Sequence, residues 1–379
     1  MESRAEIVVG PMLRYVGTTT ATVWVETSRP CVVAVLGHST RTFEVEGHHY
    51  ALVVVVGLEP GTTTPYEVSL DGRTAWPTED ERSPSTIRTP EVDNRTRLAF
   101  GSCRLGHPER IPYTLSSSED ELGVETDALW AYAKGLQRGE VEWPDALVLL
   151  GDQVYADDVS PETAEFIRAS RDVRRPPGEQ VANFEEYTQL YREAWSDPDV
   201  RWLLSTVPTT MIFDDHDVHD DWNISEAWVA EMHETTWWEA RITGAFMAYW
   251  VYQHLGNLSP DELAAEPFVQ DMLADADAGP RLRERAKKWD RDRKSSRWAY
   301  YRDFGRSRLL VIDCRAGRVV DDDGRAMVNA EEWRWIVEHA HGSYDHLVIA
   351  MTLPAVLPHG IHFLEAWNEA VCDGAWSRF

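Results

Sequence analysis

From Ile7 to about Thr89 apolar and polar positions alternate in short runs, among them "TATVWVET", "CVVAVLG", "RTFEVEG", "YALVVVVGL" and "PYEVSLDG". Period-two alternation rich in β-branched residues predicts strands with one buried face, and turn signals such as Glu59-Pro60-Gly61 and Asp71-Gly72 separate them. Strands of this length and spacing predict an all-β sandwich. The polar stretch "TPEVDNRTR", Thr89 to Arg97, reads as a linker, and beyond it the pattern changes. Longer apolar strands, "RLAFGSC", "DALVLLGD", "TTMIFDD", "SRLLVIDC" and "HLVIAMTLP", now alternate with helical patterns such as "TDALWAYAKGLQRG" and "NFEEYTQLYREAW". Uniformly apolar strands between helices predict sheets covered on both faces, an α/β layered domain. A Trp-rich stretch from about Ser225 to Leu255 predicts one long helix packed over the sheet or over a cleft. The charged segment "DADAGPRLRERAKKWDRDRKSSR" predicts an exposed connection. The pattern therefore divides the chain into domains at 1–92 and 93–379.

Composition narrows the function classes. The 379 residues carry 37 Lys and Arg against 64 Asp and Glu, a net charge of -27. A surface for nucleic acid or anionic membrane is not expected, so a phosphate-bearing ligand must be held locally, by metal or by a few aimed donors. Cys31, Cys103, Cys314 and Cys372 form no CxxC pair, which argues against a disulfide framework and a zinc ribbon. The opening "MESRAEIVVGPMLR" has no signal-peptide pattern and no membrane segment follows, so a soluble, reducing, cytoplasmic setting is expected. Within the β region, the turn in "GLEPGTTTPYEVSLDG" resembles the corner of a fibronectin-III-like module of the immunoglobulin-like type.

Candidate chemistry concentrates where apolar strands stop. Cys103 follows "LAFGS", Asp152 follows "LVLLG", and Asp214, Asp215 and His216 follow "TMIF". Ligand crevices of open α/β sheets lie beyond the carboxyl ends of strands, so these residues are expected to converge. A fourth end, Asp313-Cys314-Arg315, is similar but lacks the dense carboxylates. Asp152 and Tyr155 stand three apart, close enough for one turn to aim both at one ion. Carboxylate oxygen suits hard cations, and a phenol ionises usefully only against a strong Lewis acid such as ferric iron. The plainer alternative makes Tyr155 a core aromatic and has Asp152, Asp157 and Asp158 cap the next helix. The run "DDHDVHDDWN", Asp214 to Asn223, needs cation neutralisation or strong pKa shifts near a buried strand end. An exposed acidic first helical turn accounts for Asp220 and Asp221 but not for Asp215 and His216. His216 is a candidate general acid or phosphate-oxygen donor, or else a structural histidine.

Familiar motifs fail on counting. Glu109, not arginine, stands six residues after Cys103, so the cysteine-phosphatase loop is absent, and "HETTW" is no zinc-protease helix. No P-loop, G-x-S-x-G or G-x-G-x-x-G occurs. In "IFDDHDV" a strand followed by Asp215-x-Asp217 resembles the nucleophile loop of haloacid-dehalogenase-type phosphatases, which would make Asp215 a covalent nucleophile with magnesium.

The ordered set "GSCR", "GDQVYAD" and "DDHD", each on a strand end after a β-sandwich, resembles the alkaline phosphatase D (PhoD-like) metallophosphatase family. The match continues through "RLLVIDCRAG" and "MVNAEEWRWI" to "HLVIAMTLPAVL". The resemblance implies a metallophosphoesterase-like sandwich of two sheets flanked by helices, after the immunoglobulin or fibronectin-III-like domain. It implies hydrolysis of phosphate mono- or diesters with ferric iron and calcium, or another divalent metal in the second position. By position Cys103, Asp152 and Tyr155 match iron ligands, with Asp152 bridging. Asp215 stands where the wider superfamily places an Asn ligand to the second metal, and His216 where it places the catalytic histidine. Two ions about 3.5 to 4 Å apart would clamp the phosphoryl oxygens. Arg104 would add a bidentate phosphate contact, or would be a surface arginine. Two departures stand out. The twin-arginine signal common in the family is missing, and no later Ser-Gly-Asp-Val-His strand end precedes "CDGAWSRF". A C-terminally incomplete catalytic domain is expected, with His359 or His362 of "PHGIH" as the alternative source of ligands. An incomplete site also keeps open a non-catalytic binding protein.

Overall fold

A computed structural model describes residues 4–78, 84–91, 95–321 and 324–372. The expected domain boundary at 92/93 and the closing residues 373–379 lie outside them. The N-terminal region is all-β. One antiparallel sheet orders Ile7–Val16, Thr20–Thr27, His48–Val56 and Phe43–Val45, and a second orders His38–Arg41, Val32–Val35, Val68–Leu70 and Arg73–Trp76. Alternation sends Val23, Val25 and Val53 inward against Val33, Val35 and Val68 of the second sheet. The opposite face, with Met12, Trp24, Tyr50 and Leu52, enters the core of the α/β region. The first sheet is therefore buried on both sides and forms a wall shared by the two regions.

The α/β region is built on two three-stranded sheets. Leu98–Gly101, Ala146–Leu150 and Thr209–Ile212 are parallel in that order. Tyr300–Phe304 pairs antiparallel with Ser307–Ile312, which runs parallel to His346–Met351. The five strands read from apolar runs are present, and Tyr300–Phe304 adds a hairpin closed by a turn at Gly305. Leu309 and Val311 join Leu147, Leu149 and Met211 in the main core, whereas Leu310 and Ile312 meet Ile336 of the Ala330–His339 helix.

Three expectations need correction. The Trp-rich stretch is not one helix: Glu226–Glu234 stops at Thr235, whose backbone is extended, and Trp238–Ala248 restarts after it. The β-branched pair Thr235-Thr236 sits at this break. The second helix then widens into a π-helical segment, Tyr249–His254, and a short 3₁₀ turn, Leu255–Asn257. The charged connection is a helix, Gly279–Arg291, that buries Leu282, Ala286 and Trp289 at helical spacing beneath its charges, with Trp289 against Phe246 and Trp298. Coverage on both faces fails at His346–Met351, an edge strand whose Val348 and Ile349 are exposed. No helix among the described residues is long and apolar enough to cross a membrane.

Candidate metal centre

The parallel register sets Gly101 beside Leu149 and Leu150 beside Ile212, so three chains leave the sheet together. Backbone bonds continue past the strands: Cys103 N donates to Gly151 O at 3.3 Å, Arg104 N to Asp152 O at 3.2 Å, and Gly151 N to Ile212 O at 2.9 Å. Cys103 and Asp152 both adopt left-handed backbone, with φ of 53° and 51°. Residues with a Cβ occupy that region only where surrounding structure enforces it, and such outliers gather at functional sites. Gly151, at φ 88°, has no alternative, because a Cβ there would stand 2.4 Å from Asp214 Cβ.

Carboxylate oxygens of Asp152, Asp214 and Asp215 lie within 4.8 Å of one another, and all three residues are buried. Burial, then the charge of Asp214, pushes Asp152 up to about 6. Asp214 is raised as well, chiefly by burial and against the pull of Arg315. Arg315 is the cation already in place, with Nε 2.5 Å from Asp214 Oδ1 and Nη2 3.0 Å from Asp215 Oδ2. It does not reach Asp152, whose buried Oδ1 has no hydrogen-bond partner. One guanidinium against three crowded carboxylates leaves the cluster short of positive charge, a deficit that a hard cation on oxygen ligands would meet.

Cys103 and Tyr155 stand beside this cluster. Cys103 is exposed, yet partial desolvation raises its thiol, which is close enough to Asp152 to interact with it. The Tyr155 phenol is raised by burial and then by the charge of Asp152. Its ring packs on His216, with centroids 4.9 Å apart. His216 Nδ1 meets Asp157 Oδ1 at 3.0 Å and Oδ2 at 3.1 Å, while Nε2 has only the exposed Asp220 carboxylate at 3.7 Å, too long for a hydrogen bond. Burial opposes charge on this imidazole, but Asp157 outweighs it and the value rises.

A family model for PhoD-like phosphatases matches residues 126–266, and one for a domain of unknown function, DUF7800, matches residues 4–88. A structure titled "Structure of PhoD" aligns with a TM-score of 0.56 and 15% identity over 93% of this chain. Residues 126–266 carry a PhoD-like phosphatase domain. The chain spans 63% of the length of that PhoD chain, with which it shares the mixed α/β fold. A purple acid phosphatase from yellow lupin (Lupinus luteus) seeds aligns at a TM-score of 0.40 and 13% identity, over 86% of this chain and 47% of that one. No curated protein matches the chain.

Not every residue singled out in the sequence reaches the cluster. Arg104 is buried and committed elsewhere: Nε lies 3.0 Å and Nη2 2.5 Å from Asp127 Oδ2, and Nη1 donates to Ala194 O at 2.7 Å. Asp127 also caps the Ala128–Arg138 helix, so Arg104 ties the loop after the first strand to that helix. It offers neither the expected bidentate phosphate contact nor a surface arginine. His362 faces Leu357 N at 3.2 Å and Glu365 at 3.4 Å, and neither it nor His359 joins a metal-ligand cluster among the described residues. The helix after Tyr155 is Pro161–Ser170, capped by Ser160, which frees Asp157 to hold His216.

Three contributors to the site have no place in the metal centre as read from sequence. Arg315 carried a weak signal, its place on a fourth strand end. Asp157 reads in sequence as a helix-start residue. Asp217 is buried, and its Oδ2 accepts Asp152 N and Asp214 N, each at 2.9 Å, joining two strand ends through one carboxylate. Nothing in the acidic run distinguishes it from its neighbours.

Proposed function

We propose that this chain is a metal-dependent phosphoester hydrolase whose centre forms at the strand ends carrying Cys103, Asp152 and Asp214 to His216. The observation that carries the reading is the buried Asp152, Asp214 and Asp215 cluster with an unpartnered Asp152 oxygen. The PhoD-like match over residues 126–266 supports it. Cys103, Asp152 and Tyr155 would hold a ferric ion, and Asp152 with Asp215 a calcium or other divalent ion. Bound there, such ions supply Lewis acidity to phosphoryl oxygens and a hydroxide near neutral pH.

The chain's own groups do the rest. Asp157 fixes the imidazole of His216 by Nδ1, so Nε2 is the nitrogen free to give a proton to the leaving oxygen. Arg315 relieves the repulsion between Asp214 and Asp215. Beyond Tyr155 lies a cavity of about 180 Å³ with Leu105, Tyr113, Leu122 and Leu190 in its walls and Glu121 and Glu193 among them. That lining suits a small uncharged alcohol as leaving group and repels a polyanionic one. Asp215 as a covalent nucleophile fits less well, because Asp217, the second acid of that loop, is closed off by two backbone amides. The N-terminal all-β region would be an immunoglobulin or fibronectin-III-like module.

The test is metal analysis of protein purified without chelators, paired with a panel of phosphate mono- and diesters. Iron with a second metal, turnover, and a visible tyrosinate band lost in Tyr155→Phe are expected. A colourless, fully loaded protein removes the ferric assignment. Turnover with magnesium alone and a trapped aspartyl-phosphate at Asp215 would replace the reading, and weak metal affinity without turnover would favour a binding protein.

A further inference from the structure

Residues 4–88 match a domain of unknown function, yet one of their side chains reaches the core of the α/β region. Arg14, on the Ile7–Val16 strand, is fully buried. Its Nε donates to Thr209 O at 2.9 Å, Nη1 to Tyr252 O at 2.8 Å, and Nη2 to Gln253 O at 2.7 Å and Asn257 Oδ1 at 3.2 Å. Two of these acceptors belong to the π-helical segment Tyr249–His254, whose wider turn departs from the ordinary helical hydrogen-bond ladder. Gly256 makes the approach feasible, because a Cβ there would lie 2.5 Å from Arg14 Cζ. Asn257 extends the contact to the third strand of the centre, accepting from Met211 N at 3.0 Å and donating to Met211 O at 2.6 Å.

The same π-helical segment faces the metal centre with a side chain. Gln253 is buried and its Nε2 donates to Tyr191 Oη at 2.9 Å and to Asp217 Oδ1 at 3.3 Å. Asp217 Oδ2, in turn, receives the amides of Asp152 and Asp214. A continuous hydrogen-bonded path therefore runs from the N-terminal sheet through Arg14, the π-helical segment, Gln253 and Asp217 to the backbone of two cluster carboxylates. Donors on both oxygens of Asp217 fix the plane of its carboxylate.

We infer that the N-terminal β-region braces the metal centre, with Arg14 and Gln253 as positioning residues that hold Asp217 against the amides of Asp152 and Asp214. This rests on the metal-centre reading proposed above, but its geometry exists before any ion binds. Outer-shell partners of this kind tune affinity by roughly 10- to 100-fold when removed.

Amide hydrogen exchange on the full chain, freed of metal, is the deciding measurement. In wild type the amides of Asp152 and Asp214 should be as protected as those of Val33 and Leu310 within strands, although they lie beyond their own strands. Gln253→Met, which keeps bulk and loses the donor, should speed exchange at those two amides by about tenfold or more while Val33 and Leu310 are unchanged. Arg14→Lys, which keeps charge and loses the fork, should speed the same two by a smaller factor. In the metal-loaded protein Gln253→Met should weaken metal binding about tenfold and lower kcat with KM unchanged. Loop-like exchange at Asp152 and Asp214 in wild type overturns the brace, as does unchanged exchange in the variants. If Gln253→Met does not fold, wild type and Arg14→Lys still decide. If wild type neither binds metal nor hydrolyses esters, the hydrolase reading falls while the exchange data still judge the brace.

Discussion

Asp157 receives His216 Nδ1 at 3.0 Å across a gap of 59 residues, which leaves Nε2 as the ring nitrogen available to a substrate. A carboxylate on the far nitrogen fixes the tautomer and strengthens the imidazole as a proton carrier. Asp157→Asn should therefore lower kcat by about 10- to 100-fold with KM nearly unchanged. Steady-state kinetics on the preferred ester checks this, and a rise in KM at constant kcat would move His216 from proton transfer to binding.

Arg315 should matter most when metal is absent. Its guanidinium is buried between Asp214 and Asp215, and removing one partner of a buried pair strands the other charges. Arg315→Met should cost about 3 kcal/mol in chelator-treated protein, with part of the loss recovered by excess divalent metal. Urea unfolding with and without metal measures both numbers. Equal loss in the two conditions would count against a cation at this cluster.

Asp152→Asn should separate stability from activity. The carboxylate is buried beside Asp214 without a partner for Oδ1, so the neutral amide relieves repulsion in the metal-free protein. The expected outcome is a higher melting temperature without metal, loss of the metal-induced rise, and turnover reduced by about 100-fold or more. Calorimetry with paired activity assays tests the three together, and a variant that melts lower without metal contradicts the crowding argument.

His48 links the β-sandwich to the α/β region and should make their contact pH-dependent. Burial disfavours its charge, but Nδ1 on Glu26 and Nε2 on Glu185, each at 2.8 Å, lift its pKa to about 9. A raised folded-state value contributes stability that is complete below about pH 6.5 and is lost as pH climbs through 9. At pH 7 the contribution is on the order of 2 kcal/mol, less what solvent screens at the half-exposed Glu185. His48→Gln should bring the urea midpoint at pH 7 close to its own value at pH 10, whereas wild type should fall between those two conditions.

The strand ends were legible because each signal is local: an apolar run, a glycine or serine, then a ligand-type side chain. Asp152, Asp214 and Asp215 could be placed that way, and the parallel register brings their carboxylates together, with Cys103 beside them. Partners were not legible where a long loop decides them. Arg315 meets Asp214 across 101 residues and Asp217 meets the Asp152 amide across 65, and neither pairing leaves a trace in spacing. Arg104 misled for the same reason, since its proximity to Cys103 in sequence is outweighed by Asp127 in space. The Gly279–Arg291 helix was hidden differently, by charge dense enough to mask Leu282, Ala286 and Trp289.

Gly151 has a consequence for which ions this centre would accept. With only a hydrogen between its Cα and Asp214, the strand ends bearing Asp152 and Asp214 cannot close further without a clash. The carboxylate spacing is then set by main chain rather than by rotamers, and the ordering entropy of the ligands is spent during folding, before an ion arrives. Such a frame discriminates by ionic radius: a cation too small for the gap cannot draw the oxygens inward, whereas a flexible loop of aspartates would wrap any divalent ion offered to it.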